Sequence, residues 1–406
     1  MYILYWIKNA SFFRQILTIT SVSSFLSLLS AIGTILLVRS LTLSDYGRYS
    51  IILAYIQFAG PLGTLGQSKL LRTIYSIQGG IGQNWYADMS MGLLINFPVY
   101  ILSLVILPFI GIDSPFLIFL AGVLMISFGI LHYITGILDS NKNFINGSIL
   151  IRLPFVLMNI PALIMLLSHK YAIIQLLIFL LVFEIIAIII GISIIFKTPK
   201  VDIKRQIKPS RLKAISYSIQ LFLHLLPNQG MIILSARLFD AHTVGIYSAL
   251  WTLFRPFWIL HDSTTRISSV EFAHKDKKQV GGIFHRYNLI FLIIGICSLV
   301  LYPIITDLVY GNKFAGFHSL LYWMILVNTL LLFDSLPNAY LSMRLFAIRI
   351  FGFTSCLIIG GFAGVGISIF SYENLGLSAI VFGTLTIILS RVLTVYYFSI
   401  RDIKNQ

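Results

Sequence analysis

The stretch Ile35–Ser50 reads ILLVRSLTLSDYGRYS: an apolar run closes on Arg39, a short polar turn follows, and Tyr-Gly-Arg-Tyr opens a second apolar run. Ile233–Ser248, ILSARLFDAHTVGIYS, repeats Ile, Leu, Arg, Gly, Tyr and Ser at six of sixteen positions, at a constant offset of 198 residues and without a gap. One structural device is used twice.

Both copies sit in a chain of 406 residues that is 58% hydrophobic and 11% charged. A soluble domain carries about 25% charged residues, so a soluble globule is excluded. The apolar residues gather into runs of about 20, the length that crosses roughly 30 Å of hydrocarbon. Twelve spans are expected: 16–38, 45–67, 89–110, 115–138, 147–167, 172–196, 214–236, 245–265, 287–306, 317–337, 347–369 and 376–399. The runs are continuous and do not alternate, which predicts helices rather than a barrel. No small-residue cleavage site follows the first run, so it is read as a span and not as a signal. Residues 1–15, with Trp6 and Phe12 beside Lys8 and Arg14, read as an interfacial lead-in.

The net charge is +15, yet its distribution argues against a nucleic-acid partner. With the N-terminus placed in the cytoplasm, 23 of the 29 Lys and Arg fall on cytoplasmic segments, seven of them between Lys197 and Lys213. The opposite face holds Arg39, Arg48, Lys170, Arg237 and Lys313, and Arg255 lies within a span. This positive-inside bias predicts both termini in the cytoplasm. The basic residues then serve topology and attraction to anionic membrane lipids.

Six spans separate the two copies of the turn, an even number that returns the chain to the same side. The expected architecture is therefore all-α, with two parallel-repeat six-helix bundles, 1–196 and 214–406, around a central cleft. The stretch 197–213 joins them as a basic cytoplasmic linker. Two similar bundles about a cleft suit alternating access. The outer loops are short and no catalytic cluster is visible, which argues against an enzyme.

A charge at mid-membrane costs roughly 2.5–3.5 kcal/mol, so each one needs a reason. Arg255, followed by Pro256, lies about halfway down span eight and aligns with Gln57 of span two. The pair is read as lining a lumen, with Arg255 as an anion-binding cation; the structural alternative is an interhelical ion pair. Glu184, alone in LLVFEIIAIII, and Asp334 are the candidates for carrying a coupling ion, H+ or Na+. Asp262 and Asp334 also suit salt bridges near the ends of their spans. Span seven is the most polar: Gln220, His224, Asn228 and Gln229 surround Pro227, which predicts a hinge and an amide-lined wall for sugar hydroxyls. Arg39 and Arg237 are expected to snorkel at the outer interface and Tyr49 and Tyr247 to join an aromatic belt. Gly47 and Gly245 are expected to permit a close turn. Gly360 and Gly364 read as a packing face. Cys297 and Cys356 read as buried small residues, with no disulfide or metal pattern around them.

The twelve-span plan, the twin turns LTLSDYGRYS and FDAHTVGIYS, the following FAGPLGTLGQ and the polar span seven resemble the polysaccharide-transport branch of the multidrug/oligosaccharidyl-lipid/polysaccharide (MOP) flippase superfamily, whose fold is MATE-like. Length and composition are most similar to bacterial O-antigen flippases. The resemblance implies an inner-membrane carrier that moves undecaprenyl-diphosphate-linked oligosaccharide from the cytoplasmic to the periplasmic leaflet, driven by an ion gradient and without a cofactor. Polysaccharide polymerase and chain-length regulator are the partners it implies. On that resemblance Arg255 would meet the diphosphate, and Gln57, Gln220 and Asn228 the sugars. A small-molecule exporter of the multidrug branch is the alternative, and a membrane polymerase or ligase a weaker one. No Walker A motif is present to suggest ATP as the drive.

Overall fold

The computed structural model describes residues 2–168, 173–201, 211–272, 277–310, 316–344 and 347–404. Residues 202–210 of the expected linker, with Lys170 and Lys313, lie outside the described residues. The first half comprises α1 (Tyr2–Ser40), α2 (Leu43–Leu62), α3 (Gln67–Gln78), α4 (Trp85–Ile106), α5 (Pro115–Ser140), α6 (Phe144–Leu157), α7 (Asn159–Ser168) and α8 (Ile173–Lys197). The second comprises α9 (Arg211–Leu225), α10 (Met231–Leu238), α11 (Ala241–Leu253), α12 (Arg255–Glu271), α13 (Lys277–Tyr310), α14 (His318–Arg344), α15 (Ala347–Leu375) and α16 (Leu377–Lys404). The lead-in at 1–15 is thus continuous with the first span as one helix. The only strands among the described residues are β1 (Ile81–Gly82) and β2 (Lys200–Val201), a short parallel pair that ties the start of the linker to the α3–α4 corner.

Among the described residues, ten helices are long and apolar enough to cross a membrane. The two expected spans outside that set are two and eight, the pair that carries the repeated turn. Both are helical, but span two is α2 followed by the separate, amphipathic α3, and span eight breaks at Phe254 into α11 and α12. Their polarity has a cause: they face the cleft rather than lipid. Helix α5 packs centrally among α2, α3, α4, α6 and α8; α14 packs against α12, α13 and α16. Between these groups the contacts run through α2 with α11, α1 with α12, and α3 with α9.

Large apolar side chains cover the outer surface of the long helices, among them Leu94, Phe97, Ile189, Val300, Leu308 and Phe362. A bilayer satisfies such a face, where water would not. Cys297 and Cys356 lie on exposed positions, contrary to the expectation of burial; a small apolar residue costs nothing against lipid. Gly360 and Gly364 both face α16: a Cβ on Gly360 would lie 2.0 Å from Ser390 Oγ and one on Gly364 2.4 Å from the Gly383 carbonyl oxygen, so α15 and α16 pack closely, and at Gly364 and Gly383 backbone to backbone.

The repeated turn is a repeated helix cap. Thr42 caps α2, accepting from the Asp45 amide at 3.1 Å and donating its hydroxyl to Asp45 Oδ2 at 2.7 Å. Asp240, 198 residues later, caps α11 by accepting from the Thr243 amide at 2.9 Å. Gly47 and Gly245 sit inside the first turns of these helices and neither has a positive φ, so they do not make the turn itself. They serve close approach instead. A Cβ on Gly47 would lie 1.9 Å from the Ala241 carbonyl oxygen, and one on Gly245 would lie 2.3 Å from that of Leu43. The contact is reciprocal, because Leu43 and Ala241 are themselves equivalent positions of the repeat.

Candidate functional site: two stacked cavities between the helix groups

Two cavities lie where α1–α3 and α5–α6 meet α9–α12. The first, of about 100 Å³, is near the capped ends of α2 and α11 and is lined by Tyr46, Tyr49, Gln57, Asn228, Trp251, Arg255 and Trp258, among others. The second, of about 230 Å³, is lined by Lys69, Arg72, His132, Asp139, Arg152, Gln220, His224, His261, Asp262 and Arg266 with smaller polar residues. Arg255 and Arg266 are eleven residues apart on α12, about 16 Å along its axis, so the cavities are stacked along the helices. Trp258 of the first and His224 of the second meet with ring centroids 5.7 Å apart.

In the first cavity the pattern is amide and aromatic. Gln229 Nε2 donates to Gln57 Oε1 at 3.4 Å, the Trp251 indole N–H donates to Asn228 Oδ1 at 2.5 Å, and Arg255 donates to Ser30 Oγ at 3.1 Å. Gln57, Asn228 and Arg255 therefore share one cavity. Pro227 lies in a single π-helical turn, Leu226–Gly230, which widens the helix between α9 and α10 and turns the amides of Asn228 and Gln229 toward this space. Tyr49 and Tyr247 are not belt residues. Both are buried, Tyr49 on the cavity wall and Tyr247 stacked on Trp251, because α2 and α11 lie inside the assembly. Arg39 and Arg237 are exposed, and Arg39 donates to the Val309 carbonyl at 3.4 Å.

The second cavity carries the charge. Four cationic side chains line it against two carboxylates, Asp139 and Asp262, an excess of two positive charges (four minus two) with the histidines neutral. Asp139 is buried and binds Arg266 through both oxygens, with Nε to Oδ2 at 2.7 Å, and Arg72 approaches the same carboxylate at 3.7 Å. Arg266 also donates to Ser148 Oγ at 3.1 Å, Arg152 to Ser27 Oγ at 3.1 Å, and Lys69 to Gln220 Oε1 at 3.2 Å. Gln220 thus stands with the cations and apart from Gln57, Asn228 and Arg255. Sequence reading assigned Lys69, Arg72, Arg152 and Arg266 to cytoplasmic segments as topological charge; the folded chain turns all four into the cleft. For Arg266 the signal is on α12 itself, where His261, Asp262 and Arg266 fall within six residues and Asp262 and Arg266 share a helical face.

Behind this cavity lies a buried polar network. Asp334 is fully buried; its Oδ2 accepts from Arg391 at 2.5 Å and contacts His261 Nε2 at 3.0 Å. His261 Nδ1 and His224 Nε2 each lie 3.3 Å from Asp262 Oδ1, and Arg391 donates to His224 Nδ1 at 3.0 Å. Arginine only donates, so His224 Nδ1 accepts and the ring proton sits on Nε2. Ligand atoms of His224, His261 and Asp262 lie within 4.8 Å of one another, the spacing of a metal site. With its proton on Nε2, His224 has no lone pair there to offer a metal, and the cluster reads as a hydrogen-bond network. Arg391, expected on a cytoplasmic segment, is likewise buried. Glu184 is buried between α5 and α8, accepts from Ser127 Oγ, and lines neither cavity.

The fold is one shared with solved MATE transporters. No family model matches the chain, and no curated protein matches it in sequence. Solved structures match over nearly its full length. The MATE multidrug transporter DinF-BH superposes with a TM-score of 0.67 at 14% identity, covering 96% of this chain and 95% of that one. A multidrug resistance MATE family transporter of the MOP superfamily, in an outward-facing conformation, gives 0.64 at 15% identity over 95% and 96%. A MOP superfamily transporter from Pyrococcus furiosus, described as having a binding pocket of reverse polarity that suggests a different function, gives 0.62 at 15% identity over 95% and 96%.

Proposed function

We propose that the protein is an ion-coupled flippase that carries an undecaprenyl-diphosphate-linked oligosaccharide from the cytoplasmic to the periplasmic leaflet of a bacterial inner membrane. The observation that carries this reading is the second cavity, where Lys69, Arg72, Arg152 and Arg266 converge with only two carboxylates among them. A diphosphate is the small group that such a wall suits: arginine forks donate in pairs to phosphate oxygens, and a low-dielectric surround strengthens each bond. The amides and aromatic rings of the first cavity suit sugar hydroxyls and ring faces. The positive-inside bias supports cytoplasmic termini, and with that orientation the cationic cavity is the one nearer the side where the cargo is made. Surface-polysaccharide polymerase and chain-length regulator would act on the product.

The multidrug exporter reading has one support, the MATE multidrug transporters that share the fold. A cationic drug would meet a like-charged wall in the second cavity, which favours the anionic cargo. The test is a deletion in the native host complemented with wild type or with Arg152→Ala and Arg266→Ala. The flippase reading expects lipid-linked oligosaccharide to build up on the cytoplasmic leaflet and surface polysaccharide to disappear, with the variants present in the membrane but failing to restore it. Normal surface polysaccharide in the deletion, together with altered sensitivity to cationic drugs, would favour the exporter instead.

A further inference from the structure

The geometry points to His261, held between Asp262 and Asp334, as the site where this transporter binds a proton. This names the coupling ion of the function proposed above; it rests on the ion-coupled part of that reading and not on the cargo.

The argument is a count of protons. Both ring nitrogens of His261 lie within hydrogen-bond distance of a carboxylate oxygen, Nε2 at 3.0 Å from Asp334 and Nδ1 at 3.3 Å from Asp262. Each of these contacts needs a proton between nitrogen and oxygen. A neutral imidazole carries one, and the other contact then sets a ring lone pair against a carboxylate. Filling both contacts therefore takes one proton more than two carboxylates and a neutral imidazole carry together. The neighbouring donors do not stand in for it: Arg391 directs Nη2 at Asp334 and Nη1 at His224 Nδ1, the single ring proton of His224 faces Asp262, and none of these lies between His261 and a carboxylate.

A proton site also needs access, and the network has it on one side only. The Asp262 side chain is 48% exposed, into the cationic cavity, whereas those of His261 and Asp334 are 1% and 0% exposed behind it. A proton from cavity water reaches Asp262 first, passes to His261, and leaves by the reverse route. No bond other than N–H and O–H is made or broken. The charged and titratable groups around the site are Asp334, Arg391 and Tyr396 on α14 and α16, and His224 on α9. Lys69 and Arg72 approach from α3, His132 and Asp139 from α5, Arg152 from α6, and Arg266 from α12 itself. Losing the proton removes one of the two bonds that join His261 to Asp334 of α14 and to its neighbour Asp262, and it lowers the positive charge beside the cavity by one. Glu184 has neither feature: it lines no cavity, and its described side-chain partner is one serine.

The test uses the full-length protein in lipid nanodiscs with 15N-labelled histidine. NMR across pH 5 to 9 reports the protonation of each ring, and His261 is assigned by the signals lost in His261→Gln. His261 is expected to show both nitrogens protonated in the lower range and to lose one proton on raising the pH, while His224 stays singly protonated on Nε2. Asp262→Asn, which keeps the side-chain volume, is expected to displace that transition. Spin labels at Asp113→Cys and Glu373→Cys, with Cys297 and Cys356 replaced by Ser, give a second readout: a pH-dependent distance distribution that His261→Gln abolishes. A His261 ring that is neutral throughout, or a pH response intact in His261→Gln, overturns the assignment. Loss of the response in Glu184→Gln with retention in His261→Gln overturns it too. Neither readout contains a lipid diphosphate, so failure of the cargo reading would leave both unchanged.

Discussion

Gly47→Ala should push apart the capped ends of α2 and α11. The added Cβ would lie 1.9 Å from the Ala241 carbonyl oxygen, and contacts of 3.4 Å or more are ordinary, so the helices must separate locally by about 1.5 Å (3.4 minus 1.9). The clashing atom is backbone and cannot swing aside. Overpacking of this kind costs about 1–3 kcal/mol, which biases a two-state equilibrium about 5- to 150-fold toward the state in which these ends are apart. Gly245→Ala meets the Leu43 oxygen at 2.3 Å and should act in the same direction. The double variant should fall short of the sum, because the first separation already relieves the second clash. The assay is the distance distribution between spin labels at Asp113 and Glu373, both exposed, in a background without Cys297 and Cys356. Gly281→Ala is the control, since nothing lies within 4 Å of the Cβ it would add. Distributions in Gly47→Ala and Gly245→Ala identical to that of wild type would refute the reasoning, because helices in true contact there cannot absorb a methyl group.

Asp139→Asn removes the carboxylate that Arg266 and Arg72 share, and should lower the melting temperature in detergent. The loss should fall near the low end of about 3–5 kcal/mol for breaking a buried pair, because both guanidinium groups also reach the cavity. Trp251→Phe leaves Asn228 Oδ1 without its indole donor and should cost about 1–3 kcal/mol, read as a lower melting temperature. The Asp240 carboxyl is held below its usual value by the hydrogen bonds from Thr243. Its cap is therefore fully present above the ordinary carboxylate range and is lost as pH falls through the lowered value. Protection at 241–244, taken relative to the intrinsic amide exchange rate at each pH, should fall in acid in wild type, while Asp240→Asn should show no such pH dependence of protection.

Much of the fold was legible because the bilayer imposes lengths: continuous apolar runs announced the spans, and the offset of 198 residues announced two equivalent turns, though not that Thr42 and Asp240 cap the helices after them. Spans two and eight were harder, since hydropathy says how much of a helix is apolar and not where it breaks; the sign of the break at Phe254 is Pro256, which stands in the first turn of α12. The same limit hid the site. Lys69, Arg72 and Arg152 stand near span ends, where topology alone explains a basic residue, so nothing in one sequence marks them as facing inward; Arg391 lies eight residues inside the span 376–399, and its depth was a signal that counting it with the cytoplasmic charge passed over. Arg255 was visible because its depth made it expensive. Tyr49 and Tyr247 misled for the converse reason: a tyrosine at the edge of a span suits a lipid interface and a buried wall equally, and only the crossing of α2 with α11 decides between them.

The two ends of the cleft are closed by different chemistry, and this bears on how the proposed cargo would drive a cycle. At the capped ends the closure is steric, glycine against carbonyl, with no charge involved. At the cationic cavity it is ionic: Arg266 of α12 reaches across to Asp139 of α5 and Ser148 of α6, and Lys69 of α3 to Gln220 of α9. An anion entering that cavity competes with Asp139 for the same guanidinium groups, so it acts directly on one closure and not on the other. A ligand shifts an equilibrium only by its differential affinity for the two states. The ionic end is where an anionic cargo has such a difference to exploit, and the His261 network borders the same cavity. Asp139→Asn and Gly47→Ala should therefore bias the cleft toward opening at opposite ends. Combined in one chain, they should bring the Asp113–Glu373 distances back toward those of wild type.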